Sequence, residues 1–348
     1  MDSLDMTRLD FYSNSQQVTN CSLTCPRNTT IENEMWWESV TTAVVTKESV
    51  VMTVACVVGL VANTLVVCVL AASKNELSLA ARYIVNRAAA DILFLVTVPY
   101  DSRAHLHNSW VFGSLLCKLR SALVLIGPVM SSVFLVALSG SWYVDTCMAG
   151  VSAKLRSTLV NVVSTVSWFT ILLFSIPTFL QSEVFKEVLQ ERFHCVSLPL
   201  SEDALLSQLL RFLIIILVFV APLVMCWVLM SLVIPAHTSR PCTPPEHSTS
   251  HMTTDESVRH YRLLLSLLVT FTACQLPYWL VYLVNEFIRG VKLGEAVMLA
   301  FSATLCLPSV NAALNPLLCI YYLQDLRRCE TKAKTTQEQP QLIALVAL

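Results

Sequence analysis

The stretch SVVMTVACVVGLVANTLVVCVLAA, residues 49–72, contains no charged residue. An α-helix of about 20 apolar residues is long enough to cross the hydrocarbon core of a bilayer. In water, a helix that is apolar on every face would have to be buried on all sides. This stretch therefore predicts a membrane-spanning helix and directs attention to similar stretches elsewhere in the chain.

Seven stretches of this kind are predicted to be membrane spans: 49–72, 82–104, 117–141, 158–180, 208–234, 261–286 and 295–321. Of the 348 residues, 55% are hydrophobic and 14% are charged, whereas soluble domains carry roughly a quarter charged residues. The alternative, a soluble bundle of buried helices, is disfavoured by seven such long spans. The net charge of −1 gives no support to nucleic-acid binding.

The predicted fold class is an all-α membrane protein with a seven-transmembrane helix bundle at residues 49–321. Residues 1–48 form a polar, extracellular N-terminal tail. Residues 322–348 form a cytoplasmic tail that begins with a short amphipathic helix. Domain boundaries are placed where the composition changes from polar to apolar.

The orientation in the membrane follows from sequons and cysteines, because lysine and arginine are balanced between the two sides and the positive-inside rule does not decide. Asn20 and Asn28 begin N-glycosylation sequons, which function on the lumenal side. Cys117 and Cys195 would lie on this same outer face, where a disulfide persists. Two free thiols are the alternative.

Sequence motifs occur in a fixed order along these spans. They are GLVANTLVV with Asn63, NRAAADILFLVTVPY with Asp91, WVFGSLLCK with Cys117, CQLPY with Pro277, and NAALNPLLC with Asn315. The ordered set resembles class A (rhodopsin-like) G-protein-coupled receptors over about residues 48–330. The stretches FLVTVPY, WVFGSLLCKL and LQDLRRC resemble the chemokine and chemoattractant peptide-receptor branch.

The resemblance implies a receptor in the plasma membrane that binds a peptide or chemokine-like ligand. A heterotrimeric G protein or an arrestin would be its partner, with membrane lipids and, in a dimer, a second receptor. The alternative is a non-signalling decoy or scavenger, or a heteromerisation partner. An enzyme is not expected, because the sequence contains no nucleophile constellation. Cys329 is a palmitoylation candidate in the tail.

Asp91 is expected to be the centre of a polar core, because a carboxylate inside a membrane marks a functional site. In the family, positions matching Asn63, Ser131, Asn311 and Asn315 surround a sodium ion with it. Oxygen ligands suit such a hard cation, and no other cofactor is expected. The alternative is a protonated Asp91 that only hydrogen-bonds between helices.

The family's activation positions differ in this chain. Ser141-Trp142-Tyr143 stands where the family has Asp/Glu-Arg-Tyr, so neither the ion pair nor the guanidinium of that triplet is available. Met230 and Cys319 replace tyrosines, and Gln275 replaces the tryptophan before Pro277. These changes predict rewired or lost activation of G proteins, or drift under relaxed constraint.

Arg87 is a further difference, because the family normally has leucine at this position. It lies one helical turn before Asp91 and shares its face of the helix. A direct Arg87–Asp91 pair would compete with sodium. Arg87 could also stand in spatially for the arginine that Trp142 has replaced.

Charged residues are also expected on the ligand side. The first 48 residues hold seven acids and three bases, and such a tail can steer a basic ligand; a merely solubilising tail is the alternative. Tyr12 is a sulfation candidate in this tail. Arg103, Arg120, Glu286 and Arg289 are expected near the mouth of the bundle. An amine ligand is disfavoured, because Val124 stands where amine receptors have aspartate.

Overall fold

A computed structural model describes residues 27–72, 79–148, 151–187, 191–197, 204–238, 254–287 and 295–322. Several predicted sites lie outside the described residues: Tyr12, Asn20, Arg289, Cys329 and the amphipathic helix of the C-terminal tail. The side chains of Asn28 and Glu286 lie outside them as well.

The described chain forms the expected seven-helix bundle. Spans one to seven are Arg27–Ala71; Leu79–Leu95 with Val98–His107; Gly113–Cys147; Ala153–Gln181; Ala204–Ile215 with Ile216–Val220 and Ala221–Thr238; Thr254–Phe287; and Glu295–Thr304 with 307–322. Among the described residues, six of these are long and apolar enough to cross a membrane. Span two, whose helices have 17 and 10 residues, is not among the six.

The helices extend beyond the apolar stretches that predicted them. Span one begins at Arg27 rather than at residue 49, so the part of the predicted tail from residue 27 onwards is helical. Span three covers Gly113–Cys147 rather than 117–141. Hydropathy detects only the lipid-embedded part of a helix, whereas the backbone hydrogen bonds continue into the polar ends.

Prolines divide two of the spans that were expected to be continuous. Span two breaks at Val96 and Thr97, just before Pro99, and span seven breaks just before Pro308. Proline has no N–H to donate and its ring disfavours helix continuation. At the first break the Thr97 hydroxyl donates to the Phe94 carbonyl at 2.7 Å, which satisfies a backbone acceptor inside the bundle.

Span five contains one π-helical turn, Ile216–Val220. The Ala221 N–H donates to the carbonyl of Ile216, five residues earlier, next to Pro222, which has no N–H. Such single turns widen a helix locally and allow it to continue past a missing donor. Proline thus changes the local geometry here without ending the span.

A two-stranded hairpin follows span four and was not predicted from the sequence. Its strands are β1, Ser182–Glu187, and β2, Arg192–Ser197, and they pair antiparallel with Val184 opposite Cys195. Cys195 forms the expected disulfide with Cys117 at the start of span three. This bond ties the hairpin to the bundle, and its side of the bundle is called the disulfide end below.

Spans two and three pack closely in the middle of the bundle. A Cβ atom at Gly127 would overlap the side chain of Phe94 and lie 3.1 Å from the carbonyl of Ala90. Glycine is therefore required for this close approach. Phe134, which is fully buried, continues the contact along span three. The approach brings Asp91 of span two close to span three.

We expect Cys117→Ser or Cys195→Ser to lower the amount of protein at the cell surface. Without the bond, the hairpin is no longer fixed to span three, and closure of a loop this long contributes about 4 kcal/mol in chain-entropy terms. Peptide mass mapping of the intact protein checks the bond itself. Cys68→Ser is the control, since its thiol is free and exposed. Recovery of Cys117 and Cys195 as free thiols would contradict the pairing.

Candidate functional site

Three polar side chains form a connected chain in the middle of the bundle. Arg87 Nη2 donates to Asn315 Oδ1 at 2.9 Å, and Asn315 Nδ2 donates to Asp91 Oδ2 at 3.0 Å. All three are buried. The expected direct Arg87–Asp91 pair is therefore replaced by a bridge through Asn315, which joins span two to span seven.

A small internal cavity lies next to Asp91. Its polar lining consists of Asp91, Ser131, Gln275 and Asn311, and apolar side chains complete the wall. Ser131 Oγ and Asn311 Oδ1 are buried and have no hydrogen-bond partner. Buried polar oxygens are normally paired, so these two are available to a ligand. Together with Asp91 they form an oxygen-rich set of the type that a hard cation such as sodium prefers.

Asn63 fixes the neighbouring backbone and does not point its amide at this cavity. Its Nδ2 donates to the carbonyls of Gly59 at 2.9 Å and Ala312 at 3.1 Å. The second bond joins span one to span seven beside Asn311. Three of the five predicted polar-core residues thus line the cavity: Asp91, Ser131 and Asn311. Asn315 is hydrogen-bonded to Asp91, and Asn63 is bonded to the backbone of spans one and seven.

Arg87 retains unused donors. Its Nε and Nη1 atoms are buried without a partner, while the side chain is 3% exposed. Cys226 and Cys319 are close enough to interact electrostatically with it. The guanidinium therefore lies between the polar core and the end of the bundle opposite the disulfide.

At that opposite end the aromatic ring of Trp142 closes the interior. Trp142 is 4% exposed and belongs to the same apolar cluster as Met230, which is 2% exposed. Its ring lies 5.9 Å from that of Tyr261 on span six, centroid to centroid. The indole Nε1 has no hydrogen-bond partner. Trp142 thus packs among spans three, five and six as an apolar group.

Polar contacts support the closed packing of this end. Ser266 and Tyr322 share a hydrogen bond of 3.0 Å between spans six and seven. The Ser141 hydroxyl donates to the Leu138 carbonyl at 2.8 Å, a bond within its own helix. Tyr143 is partly buried against the apolar cluster. The triplet Ser141-Trp142-Tyr143 therefore adds no charge to the interior of this end.

At the disulfide end, an ion pair joins spans two and three. Arg120, one of the predicted mouth residues, pairs with Asp101. Arg103 is exposed. Asp101 was not among the predicted sites, although an acid in an otherwise apolar span is a signal that could have identified it. Among the described residues, the mouth thus contains the Arg120–Asp101 ion pair, and Arg103 is exposed.

Comparison with known proteins identifies the architecture. Residues 62–321 match the family described as 7 transmembrane receptor (rhodopsin family). The chain belongs to this family. It is therefore a multi-pass membrane protein of a receptor class whose members are not enzymes.

The relatives include chemokine receptors. The chain is 28% identical to the C-C chemokine receptor type 6 of Mus musculus over 78% of this chain and 73% of the relative. It is 26% identical to the atypical chemokine receptor 4 of Homo sapiens, over 78% and 74%. It is also 27% identical to the somatostatin receptor type 3 of Mus musculus, over 88% and 74%. The resemblance to the chemokine-receptor branch is thereby confirmed.

Proposed function

We propose that the protein is a plasma-membrane receptor for a peptide or chemokine-like ligand and that it couples weakly or atypically to G proteins. The disulfide end faces outwards in this proposal, since a disulfide persists in the extracellular environment. The N-terminal tail, with its sequons at Asn20 and Asn28, then lies outside. Trp142 lies at the cytoplasmic end.

Support for this ligand class comes from the relatives and from charge. Two of the relatives reported above are named as chemokine receptors. Without the buried Glu48, the first 47 residues carry six acids against three bases, and sulfation of Tyr12 would add further negative charge. Electrostatic complementarity of this kind accelerates encounter with a basic ligand. A screen of chemokines and chemoattractant peptides for binding tests the ligand class.

The burial of Trp142 is the observation that carries the proposal of weak coupling. A G protein needs an opening among spans three, five and six, where Trp142 lies against Tyr261 in the apolar cluster that also contains Met230. Burial of a large apolar side chain stabilises the closed packing by about 1.5–3 kcal/mol relative to exposure. Such a bias shifts a two-state equilibrium about 10- to 150-fold towards the closed state.

A second candidate function is ligand uptake without signalling, as a scavenger, decoy or heteromerisation partner. The uncharged triplet at the cytoplasmic end supports it, and one relative is named as an atypical chemokine receptor. Both functions need a ligand-binding mouth, but only the first needs nucleotide exchange on a G protein. Ligand-driven exchange, measured beside internalisation at equal surface level, separates the two.

We also propose that Arg87 weakens sodium binding at the polar core. The oxygens of Asp91, Ser131 and Asn311 fit a sodium ion, which would neutralise the carboxylate when bound. The Arg87 guanidinium already places a positive charge near Asp91, because Asn315 hydrogen-bonds to both side chains. Two cations near one carboxylate in a low-dielectric interior repel each other. The Arg87 guanidinium therefore balances part of the Asp91 charge, as a bound sodium ion would.

We expect the unmodified receptor to give weak or no ligand-induced nucleotide exchange, while ligand binding and internalisation persist. The physical reason is the buried Trp142, whose exposure would accompany opening. Ser141→Asp with Trp142→Arg should raise exchange only modestly, because Gln275 and Cys319 remain unlike the family. Exchange is measured in membranes with matched receptor amounts.

The matched control for this experiment is Trp142→Phe, which keeps an apolar aromatic group and should leave exchange low. Robust exchange by the unmodified chain, equal to that of an ordinary receptor, would refute weak coupling. Arg87 would then be the first residue to substitute.

We expect sodium to stabilise the unmodified receptor only slightly against heat. Arg87→Leu removes the competing charge and should increase the rise in Tm when potassium is replaced by sodium at constant ionic strength. Adding Asp91→Asn to Arg87→Leu should abolish that rise. Arg82→Leu is the control, because Arg82 bonds to Ser157 and Asn161 away from the cavity. A sodium response unchanged by Arg87→Leu would show that the guanidinium does not compete.

A further inference from the structure

Glu48 is a buried carboxylate of span one, on the disulfide side of Asn63. It is 4% exposed, and both of its carboxylate oxygens lack a hydrogen-bond partner. It precedes Asn63 by fifteen residues, which corresponds to roughly 22 Å along a helix axis. The carboxylate therefore lies well apart from the Asp91 core, near the end of the bundle where a ligand would enter.

Three spans enclose this carboxylate. The hydroxyl of Ser49 is also buried without a partner. The Ser102 hydroxyl of span two donates to the Ser49 carbonyl at 3.4 Å, which holds span two against span one at this level. Cys306 of span seven is close enough to interact electrostatically with Glu48. The unpartnered carboxylate of Glu48 thus lies on a part of span one that packs against spans two and seven.

The isolation of Glu48 contrasts with the pairing of Asp101. Asp101, next to Ser102, has its charge balanced by Arg120. Within the ranges that the structure describes, no basic side chain pairs with Glu48. Burying an ionised carboxylate without a partner is costly in protein interiors. An intramembrane acid of this kind marks a functional site whose partner has to be identified.

We infer that Glu48 is the anionic centre of a binding site for an organic cation, an ammonium or guanidinium group presented by the ligand. This inference rests on the proposed function and deepens it by naming the chemistry of one ligand contact. The two carboxylate oxygens accept charge-assisted hydrogen bonds from either group. Glu48 has no paired base among the described residues, unlike Asp101, and so offers the negative charge that the Asp101–Arg120 pair does not.

A metal ion fits this site less well than an organic cation. Calcium takes six to eight oxygen ligands, whereas Glu48 offers two carboxylate oxygens. Among the described residues, no group of three or more acidic, histidine or cysteine side chains could hold a metal. An ammonium or guanidinium carries its own donors and needs only a few acceptors.

Thermal unfolding of the purified full-length receptor in detergent tests the site with small probes. Arginine amide carries both cationic groups, N-acetyl-arginine amide only the guanidinium, and alanine amide only the ammonium. N-acetyl-alanine amide is the neutral control. At about ten times its Kd, a binding probe should raise Tm by about 2–4 °C. The two singly charged probes show whether a basic side chain or an amino terminus is the better occupant.

Substitutions then assign the effect to Glu48. Glu48→Gln should abolish the rise in Tm given by the cationic probes, and Glu48→Asp, which keeps the carboxylate, should retain part of it. Glu183→Gln is the matched control, because Glu183 is an exposed acid on the hairpin. If Glu48→Gln lowers Tm without any probe, binding measured directly by calorimetry on the folded protein replaces the melting curve.

Two results would overturn the inference: no stabilisation by any cationic probe, or equal stabilisation of the unmodified receptor and Glu48→Gln. Its failure is distinguishable from failure of the proposed function. A chemokine that binds with the same affinity to the unmodified receptor and to Glu48→Gln refutes the cation site alone. Cation binding through Glu48, in a receptor that no chemokine or chemoattractant peptide recognises, refutes the ligand class alone.

Discussion

The amide of Asn315 is the contact on which the middle of the bundle depends. Two opposite charges, Arg87 and Asp91, are buried there, and each carries an effective desolvation penalty of several kcal/mol. One amide can serve both, because its oxygen accepts from the guanidinium while its nitrogen donates to the carboxylate. Spans two and seven are held together as a result. The cavity beside Asp91 and the close approach of span three at Gly127 are arranged around this pair of bonds.

The same network limits what the opposite end of the bundle can do. Arg87 is bonded to Asn315 through one nitrogen, and its Nε and Nη1 atoms are buried without a partner. That end is filled by Trp142 and Met230. A cation is thus present inside the bundle, but it is separated from the surface by apolar side chains. Because of this separation, the chain has a positive charge inside the bundle but none at the Trp142 position, where the family has arginine.

Much of the fold follows from sequence, because a lipid environment requires apolar runs of a fixed length. The ordered motifs then predict where Asp91, Asn315 and Trp142 lie on those spans. The details that sequence did not predict have physical reasons. Spacing places Arg87 and Asp91 on one face but does not determine side-chain conformations, so the intervening Asn315 was missed. The hairpin that carries Cys195 is too short for a periodic signal. Glu48 was grouped with the tail acids, because hydropathy places the boundary of the span at the next residue.

Unsatisfied polar groups are unevenly distributed along the bundle, and their distribution bears on function. Glu48 near the disulfide end has two unpartnered oxygens, and Ser131 and Asn311 add two more at the polar core. At the end closed by Trp142, that residue contributes one neutral donor, its indole N–H. Charged or oxygen-bearing groups gain far more from a new partner than a lone indole does, since desolvated charges interact strongly. Besides the unpartnered donors of Arg87, which lie between the core and the Trp142 end, the charged and oxygen-bearing groups named here are at the disulfide end and the core. Under the proposed function, these groups favour binding from the disulfide end, whereas the lone indole N–H of Trp142 gains less from a new partner.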